Sequence, residues 1–412
     1  MKIAVIGAGI SGLAFAKYAK VKNENVQVKV FEKSGGIGGI AKVKDIASKI
    51  PYHMVGGHCF NSKFPHVMDF VFKHVLPESE WRKVNRQASI LFKGNSIGYP
   101  IEYSIKDIFK FDEQLALNIV KDFYSASKEP ATNLADWFKN NFGTTLANEY
   151  FIPYNRKIWG TEPCDMTANW VADKLPMPND LEILKGLIGS GQDSMPHSSF
   201  YYPNSGTQNT FIAALAEGLE IELNSNISEI IENSDGTYKI GSDTFDHVVY
   251  TGPLDKVHEV VPVAENIEQA ISKLRYNKIT TMIWKSKPTA DTWTYIPGNE
   301  SLFHRMIHVG NFIKSEQNYS ITEAVGVVSY DDMVASGQQI DMLVEPMDYN
   351  VSERAYVVFD KNVTASKDEI FKFFNKKNVH LLGRFGEWEY YNMDICIKKG
   401  MDLYMQIKGD QL

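Results

Sequence analysis

The chain has 412 residues and a formal net charge of −7, with 44% hydrophobic and 23% charged side chains. A chain of this length is expected to fold into two or three lobes, and its composition is typical of a globular protein. The acidic balance argues against a nucleic-acid partner or an anionic membrane surface. Since no apolar run approaches the roughly 18–20 residues of a membrane span, we also predict no membrane-spanning segment.

The three cysteines, Cys59, Cys164 and Cys396, are widely separated and odd in number. Such usage is typical of a reducing compartment, so a cytoplasmic location is expected. Their spacing forms no metal-ligand pattern, and no metal is predicted.

The first forty residues predict a dinucleotide-binding βαβ unit. Residues 2–6 read as a short buried strand, residues 13–19 as a helix, and residues 26–31 as a second strand that ends at Glu32. The alternative is a signal peptide with Lys2 as its charged end, but glycines interrupt the apolar run and no convincing cleavage site follows. The order of elements therefore favours a Rossmann-type fold.

The turn between the first strand and the helix has the sequence Gly7-Ala8-Gly9-Ile10-Ser11-Gly12. Gly7 permits a tight turn, Gly9 lets backbone N–H groups approach a pyrophosphate, and Gly12 lets the helix pack against the strand. The helix N-terminus, where Ser11 lies, adds partial positive charge for the phosphates. Glu32 follows the last glycine by about twenty residues and is predicted to accept hydrogen bonds from an adenosine ribose.

A second glycine cluster follows at once, with the sequence Lys33-Ser34-Gly35-Gly36-Ile37-Gly38-Gly39. It leaves no room for an ordinary strand or helix. Here the sequence resembles the two-dinucleotide-binding-domain flavoproteins, the superfamily of amine oxidases and UDP-galactopyranose mutases, in which E-K-x-x-x-x-G-G follows the second strand. The resemblance implies FAD as the cofactor, with the backbone at Lys33, Gly38 and Gly39 running beside it.

A short segment, Gly57-His58-Cys59-Phe60-Asn61-Ser62, narrows the resemblance. It matches the G-G/P-H-x-F-x-S/T segment that UDP-galactopyranose mutases carry beside the flavin ring. The resemblance implies that Gly57 and His58 lie at the flavin and that His58 takes part in catalysis, since a histidine there donates a hydrogen bond or helps to set the cofactor's charge state. Without the motif, His58 would be interpreted as a structural histidine.

The middle of the chain predicts lobes outside the nucleotide fold. Residues 88–101 read as a β-hairpin, residues 104–150 are mostly helical, and residues 256–365 alternate in hydrophobicity like an antiparallel sheet. The predicted fold class is α/β, a Rossmann-type FAD-binding domain with an inserted helical domain and an antiparallel β-sheet domain. The expected bounds are 1–75, 200–255 and 375–412 for the FAD-binding domain, 104–150 for the helical insertion, and 76–103, 151–199 and 256–374 for the sheet and substrate-cleft domain.

Residues 150–160 combine aromatic and basic side chains at spacings that do not suit an amphipathic helix. Core packing therefore explains them poorly. In UDP-galactopyranose mutases a Y-x-x-K-x-W segment lies under the substrate, and Tyr154, Lys157 and Trp159 match it. The resemblance implies that these three residues and Asn155 bind substrate.

The sequence Gly189-Ser190-Gly191-Gln192-Asp193-Ser194 mimics a phosphate loop but follows no clear strand. We predict a mobile surface loop, of the kind that closes over substrate in this family. Because the sequence has no second convincing dinucleotide fingerprint, a built-in NAD(P)H domain is not expected. An external reductant such as NAD(P)H is expected instead.

Arg305 stands in an apolar strand with the sequence Phe303-His304-Arg305-Met306-Ile307-His308. A buried strand arginine needs an anionic partner, and a structural ion pair is one alternative. The mutases' F-Y-R-x-T/I strand places a diphosphate-binding arginine at this position. The resemblance therefore implies that Arg305 binds the substrate phosphates and takes part in catalysis.

The C-terminal segment Gly383-Arg384-Phe385-Gly386-Glu387-Trp388-Glu389-Tyr390 matches the mutases' G-R-F/L-G/A-x-W/Y-x-Y segment. In the family the Gly-Arg pair meets the FAD pyrophosphate and the last tyrosine reaches the sugar diphosphate, which assigns Gly383, Arg384 and Tyr390. Gly252, in a Thr-Gly-Pro turn that recurs in the mutases, and Ile227 belong to the returning half of the FAD-binding domain and join the predicted cofactor residues.

Two departures from the family pattern concern the ligands. A second diphosphate arginine is expected near the F-x-x-P segment, where Tyr201 and Tyr202 stand, and the family's Asp-Met pair near the flavin is here Asn392-Met393. Losing one arginine removes a charge-assisted hydrogen bond, on the order of a few kcal/mol when desolvated. The substrate is therefore left open between UDP-galactopyranose and a different nucleotide sugar held by Arg305, the tyrosines and Lys157.

The resemblance implies a flavin-dependent mutase that interconverts pyranose and furanose forms of a nucleotide-linked sugar, with reduced FAD as covalent catalyst. An FAD-dependent oxidase or dehydrogenase of the amine-oxidase type is the main alternative. A protein that holds FAD without turnover is the third interpretation. A homodimer is compatible with each of them.

Overall fold

The computed structural model describes residues 1–46, 50–127, 129–171, 179–188, 198–313 and 315–409. The chain divides into two compact units. The first consists of Met1–Lys83, Tyr201–Arg275 and Asn362–Leu412, and the second of Val84–Phe200 and Tyr276–Lys361. None of the helices in the described ranges combines the length and hydropathy that a bilayer crossing demands.

The strands of the described residues are β1 (Lys2–Ile6), β2 (Gln27–Phe31), β3 (Val43–Ile46), β4 (Ile50–His53), β5 (Trp81–Asn85), β6 (Ala88–Phe92), β7 (Asn95–Gly98), β8 (Ser199–Pro203), β9 (Glu220–Glu222), β10 (Ile231–Glu232), β11 (Tyr238–Ile240), β12 (Asp243–Phe245), β13 (His247–Tyr250), β14 (Arg275–Ser286), β15 (Trp293–Tyr295), β16 (Arg305–Ile307), β17 (Tyr319–Val325), β18 (Leu343–Val358) and β19 (Val379–Leu381). The α-helices are α1 (Ile10–Lys22), α2 (Pro65–His74), α3 (Ile105–Phe109), α4 (Glu113–Tyr124), α5 (Leu134–Phe142), α6 (Thr144–Leu146), α7 (Ile152–Trp159), α8 (Asp180–Ile188), α9 (Gln208–Ala216), α10 (Glu265–Ser272), α11 (Gly310–Ile313), α12 (Tyr330–Gly337), α13 (Val363–Phe374), α14 (Gly383–Gly386) and α15 (Met393–Lys408).

The first unit is built on a five-stranded parallel sheet in the order β19-β13-β1-β2-β9. β1 lies at its centre, because Ile3 pairs with His247 of β13 and Val5 pairs with Val30 of β2. The side chains of β1 from Ile3 to Val5 are completely buried, as expected for a parallel sheet that is covered on both faces. This arrangement confirms the Rossmann-type fold predicted from the first forty residues.

Helices α1 and α15 pack closely together in the core of the first unit. A Cβ at Gly400 would lie 2.9 Å from the backbone nitrogen of Phe15, which is closer than real Cβ contacts allow. Only a glycine therefore lets α15 approach the backbone of α1 at this point. On the α1 side, Leu13, Ala14 and Phe15 are fully buried, so the apolar run that predicted this helix is a core element.

The second unit is built on a seven-stranded sheet in the order β18-β14-β17-β16-β15-β6-β7. Neighbouring strands from β14 to β15 pair antiparallel, and so do β6 and β7. This confirms the predicted antiparallel sheet, with one difference. β15 pairs with β6 in parallel, which is possible because roughly two hundred residues rather than a hairpin turn connect them.

The register of this sheet brings polar side chains together on one face. Tyr295 of β15 pairs with Arg305 of β16, and Arg305 pairs with Glu323 of β17. Directly paired residues point to the same side of a sheet, as do residues two apart on one strand. Trp293, Tyr295, Arg305 and Glu323 therefore share one face, which is called the Arg305 face below.

A buried carboxyl group in the second unit makes its stability depend on pH. Glu102 follows β7, is 2% exposed, and has a pKa that burial raises to about 8. Between pH 4.5 and 8 the unfolded chain loses this proton and the folded protein keeps it, so stability falls as pH rises. At pH 7, about 2.5 pH units above the ordinary pKa of 4.5, keeping this proton lowers the free energy of unfolding by about 3 kcal/mol, at 1.36 kcal/mol for each unit.

We expect Glu102→Gln to be more stable than the wild type by about 3 kcal/mol at pH 7 and by much less at pH 5. Urea unfolding of both proteins at the two pH values measures this difference. Glu149→Gln is the control, because Glu149 is exposed and paired with Lys93. A stability difference that does not change with pH would contradict the prediction.

Candidate functional site

The turn between β1 and α1 excludes side chains at two of its glycines. Gly7 has a φ of +106°, and a Cβ there would lie 2.4 Å from Oγ1 of Thr251. A Cβ at Gly12 would lie 2.1 Å from the carbonyl oxygen of Gly7. Both separations are impossible for real atoms, so only glycine lets the first turn of α1 close against β1.

The N-terminus of α1 presents backbone N–H groups to a ligand. Gly9 is the N-cap residue, no described side chain caps the helix, and the first turn carries no acidic residue. These N–H groups lack intrahelical acceptors and carry partial positive charge. Gly383 lies beside the same turn, since a Cβ on it would meet Oγ of the buried Ser11 at 2.2 Å. The structure thus brings Gly9, Ser11 and Gly383 together at a helix end that suits an anion.

Glu32 closes the turn from the end of β2. It is 9% exposed. Its Oε2 accepts a hydrogen bond from the Ala8 N–H at 2.9 Å, and its Oε1 accepts from the Ser34 N–H at 2.9 Å and the Ser34 hydroxyl at 2.8 Å. A carboxylate oxygen accepts more than one hydrogen bond, so a ribose hydroxyl remains compatible with this position. Glu32 therefore also has a structural role in the turn, which the motif alone did not indicate.

The second glycine cluster runs along the same turn. Gly38 donates its N–H to the Ala8 carbonyl at 2.7 Å, and a Cβ on Gly39 would lie 3.2 Å from Cα of Gly9. Both glycines have positive φ, +105° and +56°, so the close approach depends on them. The side chain of Lys33 is exposed.

Gly252 lies next to the glycine turn, and Ile227 lies further along the chain from β9. Thr251 donates its hydroxyl to the Ile6 carbonyl at 2.8 Å, which ties the Thr-Gly-Pro turn to the end of β1. Ile227 is half-buried in the irregular segment between β9 and β10. The cofactor roles of both residues stay predictions.

A buried hydrogen-bond network lies beside the predicted flavin residues and was missed from the sequence. Nδ1 of His53 accepts from the His58 N–H at 3.2 Å, which leaves Nε2 to donate to the Tyr202 hydroxyl at 3.0 Å. Burial lowers the pKa of His53 to about 3, so its ring is neutral. The Tyr202 hydroxyl also accepts from the Gln208 N–H at 3.3 Å. The signal available in the sequence was a histidine at the end of an apolar strand.

Gln208 links this network to the start of α15. Its side chain is completely buried, and its Nε2 donates to the thioether of Met393 at 3.4 Å. Among the described residues its Oε1 has no hydrogen-bond partner. Burying an amide oxygen without a hydrogen-bond donor destabilises the folded protein, so this position favours a ligand that donates a hydrogen bond to it. Asn392, which directly precedes Met393 and is the N-cap residue of α15, is exposed.

Arg384 and Tyr390 contact each other in the C-terminal segment. The Arg384 guanidinium lies 4.5 Å from the centre of the Tyr390 ring, and its Nη1 donates to the Tyr391 carbonyl at 3.4 Å. A stacked guanidinium of this kind is suited to a phosphate ligand. Tyr201 is placed differently, because its ring packs edge-on against Phe72 at 5.3 Å in the core of the first unit. Its substrate-binding role stays a prediction.

The residues of the first unit fit a dinucleotide that carries a heterocyclic ring. The end of α1 supplies N–H groups for a pyrophosphate, and Glu32 supplies a carboxylate beside the turn that suits a ribose hydroxyl. The orphaned Oε1 of Gln208 would accept a hydrogen bond from a ring N–H. These are the groups that FAD requires of a protein.

On the Arg305 face, three donors converge on the completely buried carboxylate of Glu323. Nη2 of Arg305 donates to it at 2.9 and 3.1 Å, Tyr356 donates its hydroxyl at 2.7 Å, and Nε2 of His304 lies 3.0 Å away. Burial alone would raise the pKa of Glu323, but the Arg305 charge and the His304 and Tyr356 hydrogen bonds hold it well below its usual range. The structural ion pair, considered as an alternative above, is therefore present.

Arg305 remains within reach of a ligand. Its side chain is 17% exposed, so it is neither sealed in the core nor turned out to bulk water. Its Nη2 also donates to the Tyr356 hydroxyl at 2.7 Å, which fixes the guanidinium on this side. Substrate binding at Arg305 stays a prediction, and it would have to coexist with the Glu323 pair.

Tyrosine rings surround this position. Tyr154 of α7 lies edge-on to Tyr295 at 6.1 Å between ring centres, and Tyr99 stacks on Tyr295 at 4.8 Å. Burial raises the pKa of the Tyr154 phenol well above its ordinary value, against the opposing effect of the Arg305 charge. Tyr154 is therefore a neutral hydrogen-bond donor at any physiological pH.

The segment 150–160 forms a π-helical stretch, Ala147–Phe151, followed by α7. The expectation that its spacing does not suit an amphipathic helix is wrong. Asn155 and Trp159 lie four residues apart on one face and are both buried, and Nε1 of Trp159 donates to Oδ1 of Asn155 at 3.0 Å. Core packing therefore explains Trp159, whose ring also contacts Trp170 at 4.9 Å. Substrate roles for Asn155 and Trp159 stay predictions.

Lys157 lies on the other side of α7. Its Nζ donates to the carbonyls of Ile296 at 3.1 Å and Gly298 at 2.6 Å. Burial lowers the pKa of Lys157 to about 8, with Glu300 opposing the shift. Most Lys157 side chains are therefore still protonated at pH 7, but two of the three donors of the ammonium are bound to the main chain.

The predicted loop at 189–194 lies outside the described residues.

Comparison with known proteins agrees with this architecture. The family model described as an NAD(P)-binding Rossmann-like domain matches residues 5–73. The UDP-galactopyranose mutase of Mycoplasma genitalium is 23% identical over 97% of this chain and 94% of its own length. The dTDP-fucopyranose mutase of Escherichia coli is 20% identical over 97% of both chains.

A solved structure of reduced UDP-galactopyranose mutase superposes with a TM-score of 0.86, at 20% sequence identity, over 99% of this chain and 95% of that one. It establishes the shared fold. The resemblance predicted from the sequence motifs is thus confirmed: over nearly its whole length this chain is similar to proteins named UDP-galactopyranose mutase and dTDP-fucopyranose mutase.

Proposed function

We propose that the protein is a flavin-dependent mutase that interconverts the pyranose and furanose forms of a nucleotide-linked sugar. The observation that carries the proposal is the fixed guanidinium of Arg305 among tyrosines, in a chain that also has an uncapped dinucleotide-type helix end. Relatives named for mutation of a UDP sugar and of a dTDP sugar support this reaction class. Both nucleotides are therefore candidate carriers.

FAD would be held in the first unit. The N-terminus of α1 with Gly383 suits its pyrophosphate, Glu32 its ribose, and Gln208 a ring N–H. In reduced form the bound flavin would supply nucleophilic chemistry at the anomeric carbon of the sugar. An external reductant such as NAD(P)H would provide the electrons that this form requires.

The residues of the second unit would stabilise the departing nucleoside diphosphate. Negative charge grows on the diphosphate as its bond to the anomeric carbon breaks, and a guanidinium already in place needs no reorganisation at that moment. Glu323 and Tyr356 hold Arg305 in such a position. The neutral phenol of Tyr154 would donate a hydrogen bond to a phosphate oxygen, because its pKa is raised well above the ordinary value.

The test is anaerobic incubation of dithionite-reduced protein with a panel of UDP and dTDP sugars in pyranose form. We expect at least one sugar to give a new furanose peak by anion-exchange chromatography, with none from the oxidised protein. Absence of any furanose product across the panel would refute the proposal. Consumption of oxygen in proportion to substrate would instead support an amine-oxidase-type enzyme.

A further inference from the structure

The Arg305 face needs more positive charge than Arg305 supplies. Arg305 is bonded to the buried carboxylate of Glu323, so the two charges offset each other. Lys157 keeps its charge, but two of its three donors are bound to the main-chain carbonyls of Ile296 and Gly298 and only one is left for a ligand. A sugar-linked diphosphate is dianionic, and a buried or half-buried charge must be compensated. A second cation directed at the same place would satisfy this requirement.

Arg86 reaches the Arg305 face from the residues that precede β6. Its Nη2 donates to the Tyr295 hydroxyl at 2.6 Å. Its guanidinium carbon lies 5.4 Å from the centre of the Tyr99 ring and 5.2 Å from that of Trp293. Trp293 and Tyr295 are two residues apart on β15, so they point to the same side as Arg305.

Arg86 and Arg305 therefore both neighbour Tyr295. Arg305 is its partner across the β15–β16 ladder, and Arg86 is hydrogen-bonded to its hydroxyl. Tyr154 contacts the Tyr295 ring, and it lies close enough to Arg305 for the guanidinium charge to act on its pKa. The guanidinium groups of Arg86 and Arg305 and the phenols of Tyr154 and Tyr295 thus form one cluster. Tyr295 and Arg305 lie on strands of the sheet, Arg86 lies just before β6, and Tyr154 lies on α7.

The backbone of Arg86 is anchored close in sequence to the segment where the family pattern has a second arginine and this chain has tyrosines. Its N–H donates to the carbonyl of Ser198 at 2.8 Å. Ser198 comes two residues before Phe200, the first residue of the F-x-x-P segment near which a second diphosphate arginine is expected but not found. Arg86 is distant from that segment in sequence and adjacent to it through this hydrogen bond.

The surroundings of Arg86 suit an anionic ligand. Aromatic rings contact a guanidinium through its flat face, and the N–H groups in the plane of a guanidinium can bind phosphate oxygens in pairs. The stacked Tyr99 and Tyr295 rings add an apolar wall beside it. Arg86 itself is half-buried, so a ligand can reach it while bulk water screens it only in part.

We propose that Arg86 is the second diphosphate-binding cation of the nucleotide-sugar site, acting together with Arg305 beside Tyr295. This inference rests on the proposed function, because a nucleoside diphosphate is the ligand whose charge it matches. It adds a residue that the family motifs do not assign, and it accounts for how the chain manages without an arginine beside Tyr201.

The test compares ligands that differ only in phosphate content. Binding of UDP, UMP and uridine, and of dTDP, dTMP and thymidine, is measured by calorimetry on FAD-loaded wild type, Arg86→Ala and Arg86→Lys. The matched control is Arg156→Ala, since Arg156 is exposed and paired with Glu162. We expect Arg86→Ala to weaken diphosphate binding about tenfold to a hundredfold and nucleoside binding by less than about twofold. Arg86→Lys should retain part of the diphosphate affinity.

The outcomes separate this inference from the proposed function. If the wild type binds UDP or dTDP and Arg86→Ala binds it equally well, the role of Arg86 is refuted while the proposed function stands. If all three ligands of a series weaken by the same factor, Arg86 is structural and the inference is likewise overturned. If the wild type binds neither diphosphate, both fail. Should Arg86→Ala not fold, Arg86→Gln and Arg86→Lys at matched melting temperature give the same comparison.

Discussion

Replacing Arg305 with methionine is expected to abolish most turnover and to destabilise the protein. The loss of a guanidinium that stabilises a developing anion lowers the rate by about 10²- to 10³-fold. The same change leaves the fully buried Glu323 without its main counter-charge, which costs about 3–5 kcal/mol of unfolding free energy. Turnover of the reduced enzyme and urea unfolding measure the two effects separately.

The double variant Arg305→Met/Glu323→Met separates the two roles of the arginine. Removing both members of a buried ion pair often restores stability, because no uncompensated charge remains. We expect unfolding free energy to return towards the wild-type value while turnover stays low. If turnover recovered together with stability, Arg305 would be a structural residue and the proposed leaving-group role would be wrong.

Replacing Gly12 with alanine is expected to prevent FAD binding. The added methyl carbon would lie 2.1 Å from the Gly7 carbonyl oxygen, so the turn and the end of α1 must separate. The N–H groups that suit the pyrophosphate would move with them, and the affinity for FAD should fall at least about a hundredfold, since several charge-assisted hydrogen bonds are lost together. Purified protein should be colourless, and its melting temperature should no longer rise when FAD is added.

Gly36→Ala is the matched control within the same region. Gly36 has no positive φ, and a Cβ there would meet only the flexible end of Lys42, at 3.4 Å. We expect this variant to be yellow and to be stabilised by added FAD as the wild type is. A Gly12→Ala protein that retained flavin at wild-type stoichiometry would contradict the assigned position of the cofactor.

Much of the fold follows from local patterns, because the decisive signals lie within a few residues of one another. The β1–α1–β2 unit is encoded by an apolar run, spaced glycines and a terminal acid, all within residues 2–32. The parallel pairing of β15 with β6 is different. It joins Trp293 to Ala88, and nothing local to either strand specifies a partner so distant in sequence.

The site divides in the same way. Arg305 was identified because one cation in an apolar strand is conspicuous, whereas Glu323 is a single acid in a strand whose partner only the register reveals. The contact between His53 and Tyr202 spans 149 residues, so the network was not predictable from either segment. The helix that places Trp159 four residues after Asn155 was not recognised from the sequence, so their shared buried face was missed.

The sheet order of the first unit has a consequence for biosynthesis. One neighbour of its central strand β1 is synthesised much later than β1 itself, because Ile3 pairs with His247 of β13. The next strand is later still, since Val248 of β13 pairs with Val379 of β19. Helix α1 is covered by α15, Met393–Lys408. While the ribosome is still translating, the nascent nucleotide lobe lacks both of these neighbours. The sheet of the first unit and the cover of α1 are therefore completed only after residues 379–408 have been synthesised.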